Sequence, residues 1–294
     1  MSKKNFLAPL MILMITMLLV VFAGCGKQPA PQQQAPQEPQ VKDVVLATTT
    51  STQDSGLLDV LIPIFEEKTG YNVKTVSVGS GAAISMGERG EADVLLVHSP
   101  AAEKKIVDSG AVVNYQLVMH NDFIIIGPAG DPAGIKGTKA GDAFKKIAES
   151  KADFVSRGDE SGTHSKEKAI WAEVKITPEG SWYQQSGAGM GQTLNIANEK
   201  QTYTLTDRAT YLAQKKNINL EILSEGDASL LNVYHVMQVN PEKFSTVNKD
   251  GAKAFVDFMV DPDTQKTIGE FGKDQYGQAL FTPDAGKKVE DLGK

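Results

Sequence analysis

Three observations predict an α/β fold. From Asp43 onward, short β-branched or aliphatic runs alternate with stretches whose apolar residues recur at helical spacing. Several of those runs end in Ser, Thr or Gly clusters that lead straight into a helix-like stretch, and open α/β sheets bind ligands just there, beyond the carboxyl ends of their strands. The length, 294 residues with 41% hydrophobic side chains, suffices for two domains with cores of their own. Other classes are excluded. A mean hydropathy of −0.23 is too polar for a polytopic membrane protein. A formal charge of −6 without a long basic run argues against a sequence-independent grip on nucleic acid. One cysteine forbids an intramolecular disulfide framework, and four scattered histidines without H-E-x-x-H or C-x-x-C point to no metal and no cofactor.

The first element is a leader. Lys3 and Lys4 precede an uncharged, mostly apolar stretch over 6–22 that ends in Ala23-Gly24-Cys25. A charged start, an apolar middle and small residues at the end describe a secretory signal over 1–24. The cysteine directly after the small pair resembles a bacterial lipoprotein processing site, which implies lipidation at Cys25 and an exported, membrane-anchored chain. A single-span anchor, or a plain signal with a coincidental cysteine, is the bland alternative. Residues 25–42, rich in Pro and Gln, have almost nothing to bury and are expected to form a disordered tether.

The globular elements follow in order. Strands are predicted over 44–47, 71–78 and 94–97, with helices over 57–68, 82–89 and 100–109. Pro63 should kink or split the first helix, and Ser99-Pro100 is an N-cap with proline at the first helical position. The apolar run 123–126 closes this block. A second block has helices over 141–149, 161–174, 189–199 and 207–215 and extended segments over 154–156, 203–206, 220–223 and 233–239. Helical spacing over 246–259 and 261–272 completes the chain.

Beyond the predicted strand ends stand the residues that could carry chemistry. Thr48-Thr49-Thr50-Ser51-Thr52 follows the first strand, Gly79-Ser80-Gly81 the second, and Ser156-Arg157-Gly158-Asp159-Glu160-Ser161-Gly162-Thr163 the strand at 154–156. The physical reading is anion capture. A helix N-terminus presents free N–H groups and partial positive charge, glycine admits close backbone approach, hydroxyls add donors, and one arginine adds charge-assisted bonds. Each cluster also has an ordinary reading: Ser and Thr cap helices, Gly-Ser-Gly makes turns, and Arg157 could pair with Asp159 or Glu160 at the surface. His98 and His164 read as packed or capping histidines, and Gly187–Gly191 lacks the spacing of a nucleotide loop. G-x-S-x-G and Walker A motifs are absent. An S-x-x-K match at Ser165 and Lys168 has its only K-T-G upstream and no S-D-N, so it reads as chance.

Taken together, these blocks resemble the tungstate-binding proteins of bacterial ABC importers. The likeness is carried by 48–58, by Ala92-Asp93-Val94-Leu95-Leu96-Val97-His98, by Ser156-Arg157-Gly158-Asp159 with Ser161-Gly162-Thr163-His164, and by Gly189-Met190-Gly191-Gln192-Thr193-Leu194 and Leu205-Thr206-Asp207-Arg208. The resemblance implies a two-lobed, type II periplasmic-binding-protein-like clamshell with two interlobe crossovers. Lobe 1 is expected over 43–126 and 240–294, lobe 2 over 127–239. It further implies that Thr49, Thr50, Ser51 and Arg157 hold the oxyanion, with Ser80, Gly81, Ser161, Gly162 and Thr163 as further ligand-binding positions. The last three rest partly on the similar run in phosphate-binding proteins. The implied partners are tungstate, with molybdate as the second candidate, an ABC permease and its ATPase; the expected state is a monomer. Hydrogen phosphate carries a proton that a donor-only pocket leaves unpaired, so hydroxyls and N–H groups favour an unprotonated ion. Phosphate or molybdate binding on the same architecture, a solute sensor and, in a different class, an exported serine hydrolase are the competing readings.

Overall fold

The computed structural model describes residues 43–292; the expected signal peptide, Cys25 and the tether lie outside them. Strand β1 (Asp43–Thr49) organises the first sheet. It pairs in parallel with β2 (Asn72–Val78) on one side and β3 (Val94–Val97) on the other. The first crossover runs through a short α1 (Thr50–Asp54) and α2 (Leu57–Thr69), the second through α3 (Ser80–Glu88). Pro63 does not split α2. Its ring lies exposed on the solvent face, where the carbonyl it leaves unbonded meets water.

Helix α4 (Pro100–Asp108) then leads to β4 (Val112–Gly127), a strand long enough to serve two sheets. Its first part runs antiparallel to β9 (Leu231–Val239) as far as Asp122, and β9 also pairs antiparallel with β3. From Phe123 onward β4 pairs with β7 (Thr204–Asp207) and β8 (Glu221–Ser224). The first sheet therefore has the order β2-β1-β3-β9-β4, extended at the far edge by β10 (Thr282–Pro283). The sequence pattern missed 112–122. Asn114 there has a left-handed φ of 52° beside a register shift, and Asn114, Tyr115 and Gln116 are exposed, so period-2 alternation is lost.

The remaining elements wrap the second sheet. Strand β5 (Phe154–Ser156) pairs in parallel with β6 (Tyr183–Gln185), and a single bridge from Phe154 to Tyr203 ties them to the β7 side. Around them lie α5 (Ala140–Ser150), α6 (Gly162–Glu173), α7 (Met190–Lys200) and α8 (Arg208–Gln214). The C-terminal helices α9 (Lys249–Val260), α10 (Pro262–Glu270) and α11 (Lys273–Tyr276) return to the first sheet. The molecule is thus a two-lobed α/β clamshell joined by β4 and β9. The ladder of β9 runs to β3 and to the first part of β4.

Each sheet is covered on both faces. Leu57, Leu58 and Phe65 of α2 pack with Phe255 and Met259 of α9 on one face of the first sheet, while Ala83, Leu95, Val97 and Ile106 fill the other. In the second lobe Phe123 and Ile125 join Phe144, Phe154 and Trp171, whereas Ile124 and Ile126 join Met190, Leu194 and Tyr211. That is why 123–126 reads as an unbroken apolar run: a strand buried on both faces has no polar side to show.

Candidate functional site

The loops after β1, β2 and β5 and the turn before α7 meet at one place. After β1, Thr49 is the N-cap of α1, its hydroxyl accepting from Thr52 N at 3.2 Å. That same oxygen lies 2.7 Å from Thr52 Oγ1, 3.1 Å from Ser51 Oγ and 3.1 Å from His98 Nε2, and Ser51 Oγ is 3.0 Å from the same ring nitrogen. Thr48 points away and donates to the Leu96 carbonyl, tying β1 to β3. Thr50 Oγ1 faces the other lobe. It accepts from Arg157 Nη2 at 3.0 Å and from Met190 N at 3.3 Å, which leaves its own proton to donate.

Arg157, just past β5, is 1% exposed. Its Nη2 also donates to Asp159 Oδ2 at 2.5 Å, its Nε to the Ala188 carbonyl at 3.3 Å, and its Nη1 has no protein partner. The pairing with Asp159 expected of a surface arginine does form, but it is buried and leaves one face of the guanidinium free. Asp159 Oδ1 receives Ser161 N, and Ser161 Oγ caps α6 through His164 N. Ser80 Oγ and Thr163 Oγ1 are buried and, like Arg157 Nη1, lack a protein partner. A buried donor left unbonded costs roughly 1–3 kcal/mol, so three at one place are a strong sign of a ligand-facing surface.

Glycines let the loops close. Gly81 N donates to the Glu160 carbonyl at 3.3 Å, and a Cβ on Gly81 would stand 3.0 Å from that oxygen. A Cβ on Gly162 would stand 2.7 Å from the His98 ring and 2.9 Å from its carbonyl. Gly189 abuts Thr50, and Gly191 N donates to Asp54 Oδ2 at 2.9 Å. All nine sequence-predicted positions are therefore gathered in one region, with different parts to play. Gly81 and Ser161 give their amides to protein acceptors and Gly162 packs its Cα on His98, whereas Ser80, Arg157 and Thr163 keep donors without a protein partner and Ser161, whose hydroxyl accepts from His164 N, keeps its own proton to donate. The 187–190 turn, noted in the sequence as a glycine cluster before a helix, lies at the same seam, and so does Asp54, to which the sequence assigned no role because nothing local marks a residue that acts across a cleft. His98 was read as an ordinary packed histidine. Its position at the carboxyl end of β3 was the one signal that could have singled it out.

The electrostatics favour an anion without a proton. Burial works against the Arg157 charge, and the carboxylates of Asp159, Asp207 and Asp54 oppose that. Each of these carboxylates is already engaged. Asp54 takes Gly191 N, Asp159 takes Arg157 and Ser161 N, and Asp207 takes Thr210 N and Thr210 Oγ1. Burial pushes Asp207 up to about 6 and raises Asp54 as well. His98 is held neutral, pushed down to about 3 by burial first and by the nearby Arg157 charge second.

A family model described as a PBP superfamily domain matches residues 31–263. The tungstate-binding protein TupA of Peptoclostridium acidaminophilum is 48% identical over 249 residues, 84% of this chain and 87% of that protein. The chain belongs to the TupA family of PBP-superfamily proteins. A solved structure of the tungstate ABC transporter from Geobacter sulfurreducens matches with a TM-score of 0.72 and 45% identity, covering 78% of this chain and 98% of that one. The tungstate-binding protein TupA of Desulfovibrio alaskensis matches with a TM-score of 0.70 and 48% identity, covering 83% and 100%. For a TupA-family chain, the crossing strands β4 and β9 place the seam, and the four converging loops define what it can hold.

Proposed function

We propose that this chain is an extracytoplasmic solute-binding protein that captures tungstate between its lobes for import by an ABC permease and its ATPase. One observation carries the reading. Ser80 Oγ from the first lobe, and Arg157 Nη1 and Thr163 Oγ1 from the second, are buried donors with no protein partner beside a seam whose carboxylates are all engaged. Unpartnered donors, beside carboxylates that each already accept a protein hydrogen bond, suit a proton-free dianion better than hydrogen phosphate. The family relatives named for tungstate support the same ion. Sulfate is also unprotonated but smaller, so pocket size must reject it.

The lobes divide, on this reading, where strand pairing changes: 43–122 with 231–292 in the first, 123–230 in the second. Cys25 would carry the lipid anchor, with 25–42 as tether, and the mature protein would act as a monomer outside the cytoplasm. Among the described residues no helix is long and apolar enough to cross a membrane.

A hydrolase is the reading to set against this one. Ser51, His98 and Asn232 do line up as nucleophile, base and orienter, with His98 Nδ1 2.9 Å from Asn232 Oδ1. A base pushed down to about 3 holds a proton too weakly to activate a serine near neutral pH, and Ser51 is fully buried. Binding without turnover is therefore the favoured reading. Calorimetric titration of the mature domain with tungstate, molybdate, sulfate and hydrogen phosphate tests it. One tungstate per chain, bound more tightly than sulfate or hydrogen phosphate, is expected; no heat with tungstate would overturn the assignment.

A further inference from the structure

Helix α7 enters the seam without a cap of its own. Its N-cap is Gly189, which has no side chain to offer, and its first amides are met from the other lobe: Met190 N by Thr50 Oγ1 at 3.3 Å and Gly191 N by Asp54 Oδ2 at 2.9 Å. Thr50 is shared with Arg157, and Asp54 adds the charge. A carboxylate at a helix N-terminus gains from both the free N–H and the helix dipole. Asp54 is, however, the last residue of α1, where the dipole of its own helix opposes it. Its placement therefore suits α7 rather than the helix that carries it. Gly191 is the matching half. Glycine is a poor choice inside a helix, and a Cβ here would stand 3.1 Å from Asp54 Oδ2, so its absence lets the carboxylate reach the amide.

We infer that Asp54 is a positioning residue, the latch that caps α7 from the opposite lobe and so holds the lobes closed over the bound ion without touching it. The inference rests on the reading that the ion is captured between the lobes, and it deepens that reading by naming a residue that sets how long the ion stays. Asp54 stands one helical turn beyond Thr50, and a carboxylate repels a dianion, so it serves retention only through the lobe it grips. When the lobes part about β4 and β9, Gly191 N loses its acceptor and α7 its cap, so opening breaks a charge-assisted hydrogen bond and leaves both groups to water. A latch of this kind lengthens residence for every ion the site accepts and leaves the choice among ions to the donors described above.

Two measurements test this. Stopped-flow dissociation of tungstate reads the latch directly. Asp54→Ala should release the ion about tenfold faster with an association rate near wild type, whereas Asp54→Asn, which keeps an acceptor oxygen in the same place, should restore most of the residence time. Unchanged release in Asp54→Ala, or release from Asp54→Asn as fast as from Asp54→Ala, would overturn the inference. A damaged fold lowers the fraction of chains that bind and does not produce this split. The second measurement needs no ligand. A Cβ on Gly189 would stand 3.2 Å from Thr50 Cβ, close to the spacing of a disulfide, so Thr50→Cys with Gly189→Cys can bridge the seam whenever the lobes are shut. Oxidised glutathione should form that bridge severalfold more slowly when Asp54→Ala is added, with the linked peptides identified by mass spectrometry. An equal rate would overturn the inference whatever the protein binds. If the wild type binds no tungstate, the functional reading fails separately, and the bridging rate still decides the latch.

Discussion

A buried guanidinium with one free nitrogen is the residue on which the anion reading turns. Arg157 is held by Thr50, Asp159 and the Ala188 carbonyl, so its free Nη1 has a fixed direction before any ligand arrives. Arg157→Ala should weaken tungstate binding by about 2–5 kcal/mol, the range for truncating a buried charged hydrogen-bond partner, as read by calorimetry. Affinity within about 0.5 kcal/mol of wild type would remove Arg157 from the site. His98 makes a second prediction at this scale. Its folded pKa is depressed far below the unfolded value, so the unfolded chain binds the extra proton first, and stability is lost as pH falls from about 6.5 toward 3. His98→Gln removes that linkage. Urea melts should show the variant losing less stability than wild type between pH 7 and pH 4, by up to about 3 kcal/mol. Parallel pH profiles would mean that His98 titrates normally.

Helix starts and the glycines beside them form the closing seam. Gly162 opens α6 directly against His98, and its missing side chain is explained by the 2.9 Å approach of a backbone carbonyl, which cannot swing aside. Gly162→Ala should hold the lobes apart. Tungstate should dissociate faster and bind about tenfold or more weakly, while ligand-free stability stays within about 1 kcal/mol, because alanine is the better helix residue. Stopped-flow dissociation and melting of the free protein separate the two effects. Gly130→Ala, where a Cβ meets nothing within 4 Å, is the matched control. Wild-type dissociation in Gly162→Ala would mean that the contact with His98 carries no closing energy.

Across the whole molecule, β4 and β9 connect two lobes that each have their own two-sided core, so closure can proceed as a rigid movement about those strands without disturbing either core. A ligand bound only by the closed form stabilises it by mass action. Tungstate at about 100 times its dissociation constant should add about 2.7 kcal/mol to unfolding stability, whereas hydrogen phosphate at the same concentration adds far less. Thermal melts with each ion check this. Equal stabilisation by both would sink the donor-only account of selectivity.

The sequence by itself determined the α/β class, most element positions and the clusters at the strand ends, because those are local patterns: hydrophobic period, caps, glycines and a single arginine. It also named Ser80, Arg157 and Thr163 as site residues, and each of them keeps a buried donor with no protein partner. It missed the first half of β4, where a bulge breaks the alternation, and it could not say which sheet β9 joins, because a strand looks the same whichever sheet takes it. Only the tertiary structure decided which donors remain free and which are consumed. Gly81 and Ser161 give theirs to the protein, Asp54 reaches Gly191 across the cleft, and His98 meets Thr49 and Ser51 from 47 and more positions away. Hydrogen-bond saturation is a property of neighbours in space, and residues far apart along the chain become neighbours only when the lobes fold and meet.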